Sequence, residues 1–376
     1  MPIRQGLLPR EGLYIVPLYK LFARTALNPS LALLLLLLAR FTKQGRDLST
    51  VHPSAHGRIK TLLYLGLFRA FSNWYSDRAR NNGVSDHYDW SREIVLVTGG
   101  AAGIGAHVVT LLDELGIKVV VLDIQPITYA TSSRVHHFTC DLRSPTSVQE
   151  VAEKVRSQVG HPTVLVNNAG VARGKTILES EPGDVRFTFD VNTLSHYWIT
   201  KAFLPNMIQH NHGMVVTVAS MAAWITASSF VDYSSSKAAA LAFHEGLSAE
   251  LVTQYRASKV RTVIVQLGHT KTALFNGTNQ HNNFLAPSLE IDTVAEEIVK
   301  QIISGRSGNV LLPESAQLTA ALRMMPDWIS YPFRVRTDKI MAKWDGRQVI
   351  SDVDAPYEKK LEVTNTEKSL EAQATN

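Results

Sequence analysis

Ile94-Val-Leu-Val-Thr98 runs into Gly99-Gly-Ala-Ala-Gly103-Ile-Gly105 and then into Ala106 to Leu115. Five residues that are apolar on both faces read as a buried strand, the glycines as a tight turn, and the periodic apolar run as a helix. In such a unit, glycine lets the backbone approach a pyrophosphate and lets the helix pack close to the strand. The helix N-terminus attracts the phosphates. The spacing is T-G-x-x-x-G-x-G, not G-x-G-x-x-G, and a glycine-rich turn alone is equally compatible with a plain loop. Its position between strand and helix favours a dinucleotide.

Outward from this unit, further strand-like runs are Lys118 to Asp123, Val135 to Thr139, Thr163 to Asn167, Met214 to Val218, Arg261 to Val265 and Asn309 to Leu312. Helix-length segments separate them, so the expected fold is α/β: a doubly wound parallel sheet, the Rossmann arrangement, over residues 91–315. With 376 residues, 45% of them hydrophobic, the chain has material for such a core of about 220 to 250 residues and for extensions on either side. Residues 316–350 read as a C-terminal extension and 351–376 as a disordered polar tail. The single cysteine, Cys140, excludes an internal disulfide.

The N-terminal region, residues 1–90, differs in character. It holds 12 Lys and Arg against 5 Asp and Glu, a balance of +7, so the remainder of a chain of net charge +5 carries −2. The same region contains the unbroken apolar run Leu31 to Ala39, with a helix start at Asn28-Pro29-Ser30, and a second run, Leu62 to Phe68, after a polar loop holding Pro53 and Gly57. Nine residues rise only about 14 Å, under half of a bilayer core of roughly 30 Å. A monotopic or hairpin anchor on an anionic, cytosol-facing lipid surface, endoplasmic reticulum or lipid droplet, is therefore expected ahead of a single transmembrane span. No basic stripe interleaved with aromatics appears in the body, so nucleic acid is not an expected partner, and no metal is expected.

Asp123 ends the second strand about 20 residues beyond the glycines, where a carboxylate can accept hydrogen bonds from ribose hydroxyls. It would repel a 2′-phosphate, and Ala101, Ala102, Ile124 and Gln125 provide no cation to bind one, so NAD is expected before NADP. Asp141 can contact the adenine, and a plain loop aspartate explains it equally well. Further on stand Asn167-Asn168-Ala169-Gly170 at a strand end, Asn192 in a helix, Ser220 after a strand, and Tyr233 and Lys237 four apart on one helix face. A lysine beside a phenol favours the phenolate, and such a tyrosine can exchange a proton with substrate.

The combination T-G-x3-G-x-G, N-N-A-G, N, S-x12-Y-x3-K resembles the short-chain dehydrogenase/reductase family over residues 91–315. The resemblance implies Tyr233 as general acid and base, with Lys237 on the nicotinamide ribose lowering the tyrosine pKa. It implies Ser220 orienting the substrate and Asn192 holding a water that extends a proton relay. Thr98, Gly99, Gly103, Ile104, Gly105, Asp123, Asp141, Asn168, Ala169, Gly170, Gly268 and Thr272 are the implied cofactor residues. Leu267 stands where the family usually has proline. The basic, apolar N-terminal region and Asp123 are similar to the membrane-associated retinol and hydroxysteroid dehydrogenase branch. That likeness implies a lipophilic alcohol or carbonyl substrate, and the family implies a homodimer. An NADP-linked biosynthetic ketoreductase and a non-catalytic NAD-binding membrane scaffold are the alternatives. Phe275 to Pro287 is expected to form a lid.

Overall fold

The computed structural model describes residues 9–278, 284–340, 343–350 and 353. Five residues of the expected lid, 279–283, and nearly all of the expected tail lie outside the described residues.

The N-terminal region forms four helices, α1 (Ile15–Arg24), α2 (Pro29–Phe41), α3 (Lys43–Val51) and α4 (Pro53–Arg80). The α/β body follows as β1 (Ile94–Thr98), α5 (Gly103–Glu114), β2 (Lys118–Asp123), β3 (Val135–Thr139), α6 (Pro145–Gln158), β4 (Val164–Asn167), α7 (Pro182–Phe189) and α8 (Ser195–His210). It continues with β5 (Met214–Val218), α9 (Val231–Thr253), β6 (Arg261–Leu267), α10 (Ile291–Ile303) and β7 (Gly308–Leu312), before α11 (Gln317–Leu322) and α12 (Asp327–Val335).

The seven strands form one parallel sheet in the order β3-β2-β1-β4-β5-β6-β7. The order reverses between β1 and β4, which opens a crevice at the carboxyl ends of those strands. Alternate side chains serve opposite faces. Val95, Val97, Val121, Val166 and Val216 pack with α5 and α10, whereas Leu96, Val120, Leu165 and Val215 pack with α6, α8 and α9. Each such side chain contributes about 1.5 to 3 kcal/mol on burial, so the strand ends that carry the crevice are firmly held.

In the N-terminal region, the Asn28 side chain caps α2 by accepting from the N–H groups of Ser30 and Leu31, at 3.0 and 3.4 Å. The expected polar loop at Pro53 and Gly57 is a correction. Pro53 occupies the first turn of α4, where its missing N–H has no helical partner to lose, and the helix continues through Gly57 and Leu62 to Phe68. The start of α2 rests on α4, and a Cβ at Gly66 would come within 2.7 Å of the Leu27 carbonyl oxygen. Among the described residues no single helix is long and apolar enough to cross a membrane. The bent pair α1 and α2, at 42°, passes that test only when taken together.

Both ends of this region are tied to the body. Arg10 pairs with Glu296 at 2.7 Å and Lys20 with Glu314 at 2.6 Å. At the other end, the buried guanidinium of Arg261 donates to the carbonyls of Asn81 and Val84 at 3.1 and 2.9 Å, and the Tyr88 hydroxyl donates to the Gly213 carbonyl at 2.6 Å.

Candidate active site

A cleft of about 430 Å³ occupies the crevice. Its floor is the glycine turn. Gly99 has φ +66°, and a Cβ there would stand 2.8 Å from the Cα of Ala169, so only glycine permits this approach of β1 and β4. Gly103 has φ +57°, and a Cβ there would meet nothing within 4 Å, because that face opens to the cleft at the start of α5. Asn168 holds the turn from the side, its amide donating to the carbonyls of Thr98 and Gly99 at 3.0 and 3.1 Å.

The Asp123 carboxylate accepts from the N–H of Ala101 at 2.9 Å and of Gln125 at 2.9 Å, which fixes it at the rim with lone pairs still facing the cleft. Asp141 also lines the cleft and is paired with Arg143 at 2.7 Å.

At the opposite end, Tyr233 and Lys237 project from one face of α9, both buried, beside Ser220. The lysine Nζ donates to the Val218 carbonyl at 2.9 Å and stands 5.8 Å from the centre of the tyrosine ring. Burial pushes the Tyr233 phenol up to about 12, opposed by its hydrogen bond with Ser220, and burial pushes Lys237 down to about 8. The lysine amine is engaged by the Val218 carbonyl, and loss of water around the phenolate is the largest influence on the phenol.

The cleft therefore brings together Gly99, Gly103, Ile104, Asp123, Asp141, Asn168, Ala169, Gly170, Ser220, Tyr233, Lys237, Gly268 and Thr272. Thr98, Gly105 and Asn192 stand behind its wall. The Thr98 hydroxyl accepts from the N–H groups of Asn168 and Ala169, at 3.0 and 3.1 Å. Gly105 is packed so closely against the Gly99 carbonyl that a side chain has no room. Asn192 lies in a π turn, Asp190–Leu194, and not in regular α-helix. Its side chain accepts from the Val171 N–H at 2.8 Å and donates to the Val171 carbonyl and the Ser236 hydroxyl, at 2.9 and 3.0 Å.

Two observations fit a nicotinamide dinucleotide along this groove. The open face of Gly103 leaves a cradle at a helix N-terminus, and the buried Thr272 hydroxyl, at the far end, has no partner among the described residues.

Two parts of the site were not read from the sequence. At Tyr233 the cleft ends in an apolar chamber walled by Ala172, Leu274 and Phe275. Phe230 stacks on the tyrosine ring with centres 4.2 Å apart, Phe275 meets it edge-on at 5.9 Å, and Ala172, Leu274, Ile340 and Trp344 pack around them. The second part is the C-terminal extension, whose residues 347–350 line the cleft. Arg347 donates to the Gln125 side-chain oxygen at 2.7 Å, so a cation that none of Ala101, Ala102, Ile124 and Gln125 provides reaches this end from the extension. The pair is 222 residues apart in sequence, beyond any local motif.

The family pattern described as short chain dehydrogenase matches residues 93–283. The chain is 43% identical over 208 residues to Dehydrogenase RED2 of Cochliobolus heterostrophus, a match covering 54% of this chain and 78% of that protein. It is 35% identical over 220 residues to human epidermal retinol dehydrogenase 2, covering 56% and 71%. It is 34% identical over 244 residues to mouse estradiol 17-beta-dehydrogenase 11, covering 62% and 80%. Among solved structures, a short-chain dehydrogenase from Burkholderia cenocepacia in complex with NADP superposes with TM-score 0.56 at 24% identity, covering 66% of this chain and 99% of that one. This last likeness shows the fold.

Proposed function

The chain belongs to the short-chain dehydrogenase family, and from that premise we propose that Tyr233 is the proton-transfer group of an enzyme that interconverts a lipophilic alcohol and its carbonyl compound at a lipid surface. The reaction class itself, nicotinamide-dependent oxidation or reduction at a CH–OH group, follows from membership. When bound, the dinucleotide supplies the ring carbon that takes up or releases the hydride. In reduction Tyr233 donates its phenolic proton to the substrate oxygen that Ser220 holds by a hydrogen bond; in oxidation the tyrosine acts as the phenolate and takes the hydroxyl proton back. Lys237 holds the nicotinamide ribose. Asn192 is a positioning residue acting through Val171 and Ser236. Asp123 accepts from the adenosine ribose hydroxyls, which favours NAD.

The observation that carries the substrate class is the apolar end of the cleft beside Tyr233, walled by Ala172, Leu274 and Phe275, with Phe230 stacked on the tyrosine ring. A long-chain or polycyclic alcohol gains about 0.8 kcal/mol for each methylene it buries there. Relatives named for retinol and estradiol fit that chemistry. Attachment to lipid is supported by α2 and α4, which expose Leu34, Leu38, Phe41, Phe68 and Trp74 beside an excess of basic residues. A cytosol-facing membrane or lipid droplet is the surface proposed, with residues 1–90 as the attached region. Exposed Leu194 and Tyr197, on the helices bearing the site, support a homodimer through that face.

The test is steady-state formation of reduced dinucleotide by the full-length chain with retinoid, sterol, long-chain and short polar alcohols. The reading predicts kcat/KM at least about a hundredfold higher for the lipophilic group. Preference for short polar alcohols would contradict it.

A further inference from the structure

Residues 344–350 cross the cleft as a strap. Trp344 lies over Gly174, and its ring N–H donates to the Leu274 carbonyl at 2.9 Å. The backbone N–H groups of Asp345 and Arg347 donate to the carbonyls of Asn276 and Ala273 at 2.9 and 2.8 Å. Gln348 donates to the Ala172 carbonyl at 2.9 Å, and Arg173 in turn donates to Gln348 and to the Ile350 carbonyl, at 2.5 and 3.1 Å. These bonds span from the tyrosine end of the groove to the turn after β4. They deliver the Arg347 guanidinium to Gln125, two residues beyond Asp123.

The other basic side chains lining the cleft are engaged. Arg143 is paired with the Asp141 carboxylate, His107 with Asp292 at 2.7 Å, and Lys237 with the Val218 carbonyl. Arg347 is held by a neutral amide oxygen and makes no salt bridge among the described residues, and that bond sets its position. An arginine placed in this way beside the adenosine ribose can offer two parallel N–H donors to a phosphate.

We propose that Arg347 is a specificity-determining residue for the dinucleotide: it binds the 2′-phosphate of NADP and lets a chain with aspartate at position 123 use both cofactors. The Asp123 carboxylate opposes that phosphate and Arg347 attracts it, from opposite walls of the groove. The inference rests on the dinucleotide running from Asp123 to Tyr233, and it holds whichever cofactor the native chain prefers.

The experiment compares kcat/KM for NAD and NADP in the native chain, Arg347→Ala, Arg347→Lys and Gln348→Ala, with one alcohol throughout. Arg347→Ala should lower the NADP-to-NAD ratio at least about tenfold, through KM for NADP, and Arg347→Lys should recover part of it because the charge returns without the fork. Raising ionic strength from about 0.05 to 0.5 M should shrink the ratio in the native chain but not in Arg347→Ala. Gln348→Ala removes one of the strap's bonds and keeps the charge, so it should lower the ratio less than Arg347→Ala does; a fall as large as that of Arg347→Ala would contradict a role for the charge itself. An Arg347→Ala ratio equal to the native one, whether both cofactors lose activity or neither does, would overturn the proposal. A native preference for NADP that Arg347→Ala abolishes would support it while removing the NAD reading of Asp123.

Discussion

The two walls of the cleft are built in different ways. On one side, the turns after β1, β2 and β4 are bound to one another by Thr98, Asn168 and Asp123 and rest on the buried central strands of the sheet. On the other, Ala273 to Phe275 and residues 344–350 are joined by single hydrogen bonds, and the Arg347 side chain is exposed. The first wall is a template of fixed shape, suited to a cofactor common to many reactions. The second borders Tyr233 and Gln125, where the proposed substrate and cofactor preferences would be set.

The sharpest way to break this division is at Tyr233, where template and chamber meet. Tyr233→Phe keeps the ring that Phe230 stacks upon and removes the proton. Turnover should fall by about 10² to 10⁴, with dinucleotide affinity by fluorescence titration within about threefold. Activity near the native level would remove Tyr233 from the mechanism.

A second test concerns the seam between the N-terminal region and the body. Arg261 is buried and bonded to two carbonyls on the chain between α4 and β1. Arg261→Leu leaves those carbonyls without their donor and should cost about 3 kcal/mol in chemical denaturation. A cost under about 0.5 kcal/mol would show that the seam is loose. The same bonds mean that a truncation near residue 85 removes the partners of a buried guanidinium.

A smaller effect is a pH dependence of stability. His196 is wholly buried, and burial pushes its imidazole down to about 3, with nearby Lys237 opposing its charge as well. Between about 3 and 6.5 the unfolded chain holds a proton here that the folded chain does not, so stability falls as pH drops through that window. His196→Leu should make the decline between pH 6 and 4 shallower by about 1.4 kcal/mol per pH unit, the share of one proton. An unchanged slope in denaturation curves would contradict this.

The template wall was legible because its chemistry is local. Strand, glycine turn and helix lie within one unbroken stretch, residues 94–114, and Tyr233 and Lys237 are one helical turn apart. Runs such as Val119 to Leu122 have little choice but a buried parallel strand, and β1, β2 and β3 take up the expected ranges. The loop expected at Gly57 was misplaced because proline at a helix start and proline in a loop look alike until the packing of α4 on α2 decides. The chamber and the strap were not legible. Trp344 and Arg347 reach Leu274 and Gln125 across 70 and 222 residues, and nothing in their own neighbourhoods signals the destination. Burial of the Tyr233 phenol escaped for a related reason, since sequence spacing shows a lysine nearby but not the loss of water around the ring.

The central claim joins both walls to the lipid: a dehydrogenase whose exposed apolar helices bring it to the surface from which its substrate enters. It is tested most directly by kcat/KM for one long-chain alcohol presented in anionic vesicles, measured for the native chain and for Leu34→Gln/Leu38→Gln/Phe68→Gln. The same pair is assayed on that alcohol in detergent micelles, and vesicle flotation reports attachment. The account predicts that the variant leaves the vesicles and loses at least about tenfold on the vesicle substrate while matching the native chain in micelles. Equal rates on vesicles, with both proteins in the soluble fraction, would contradict it.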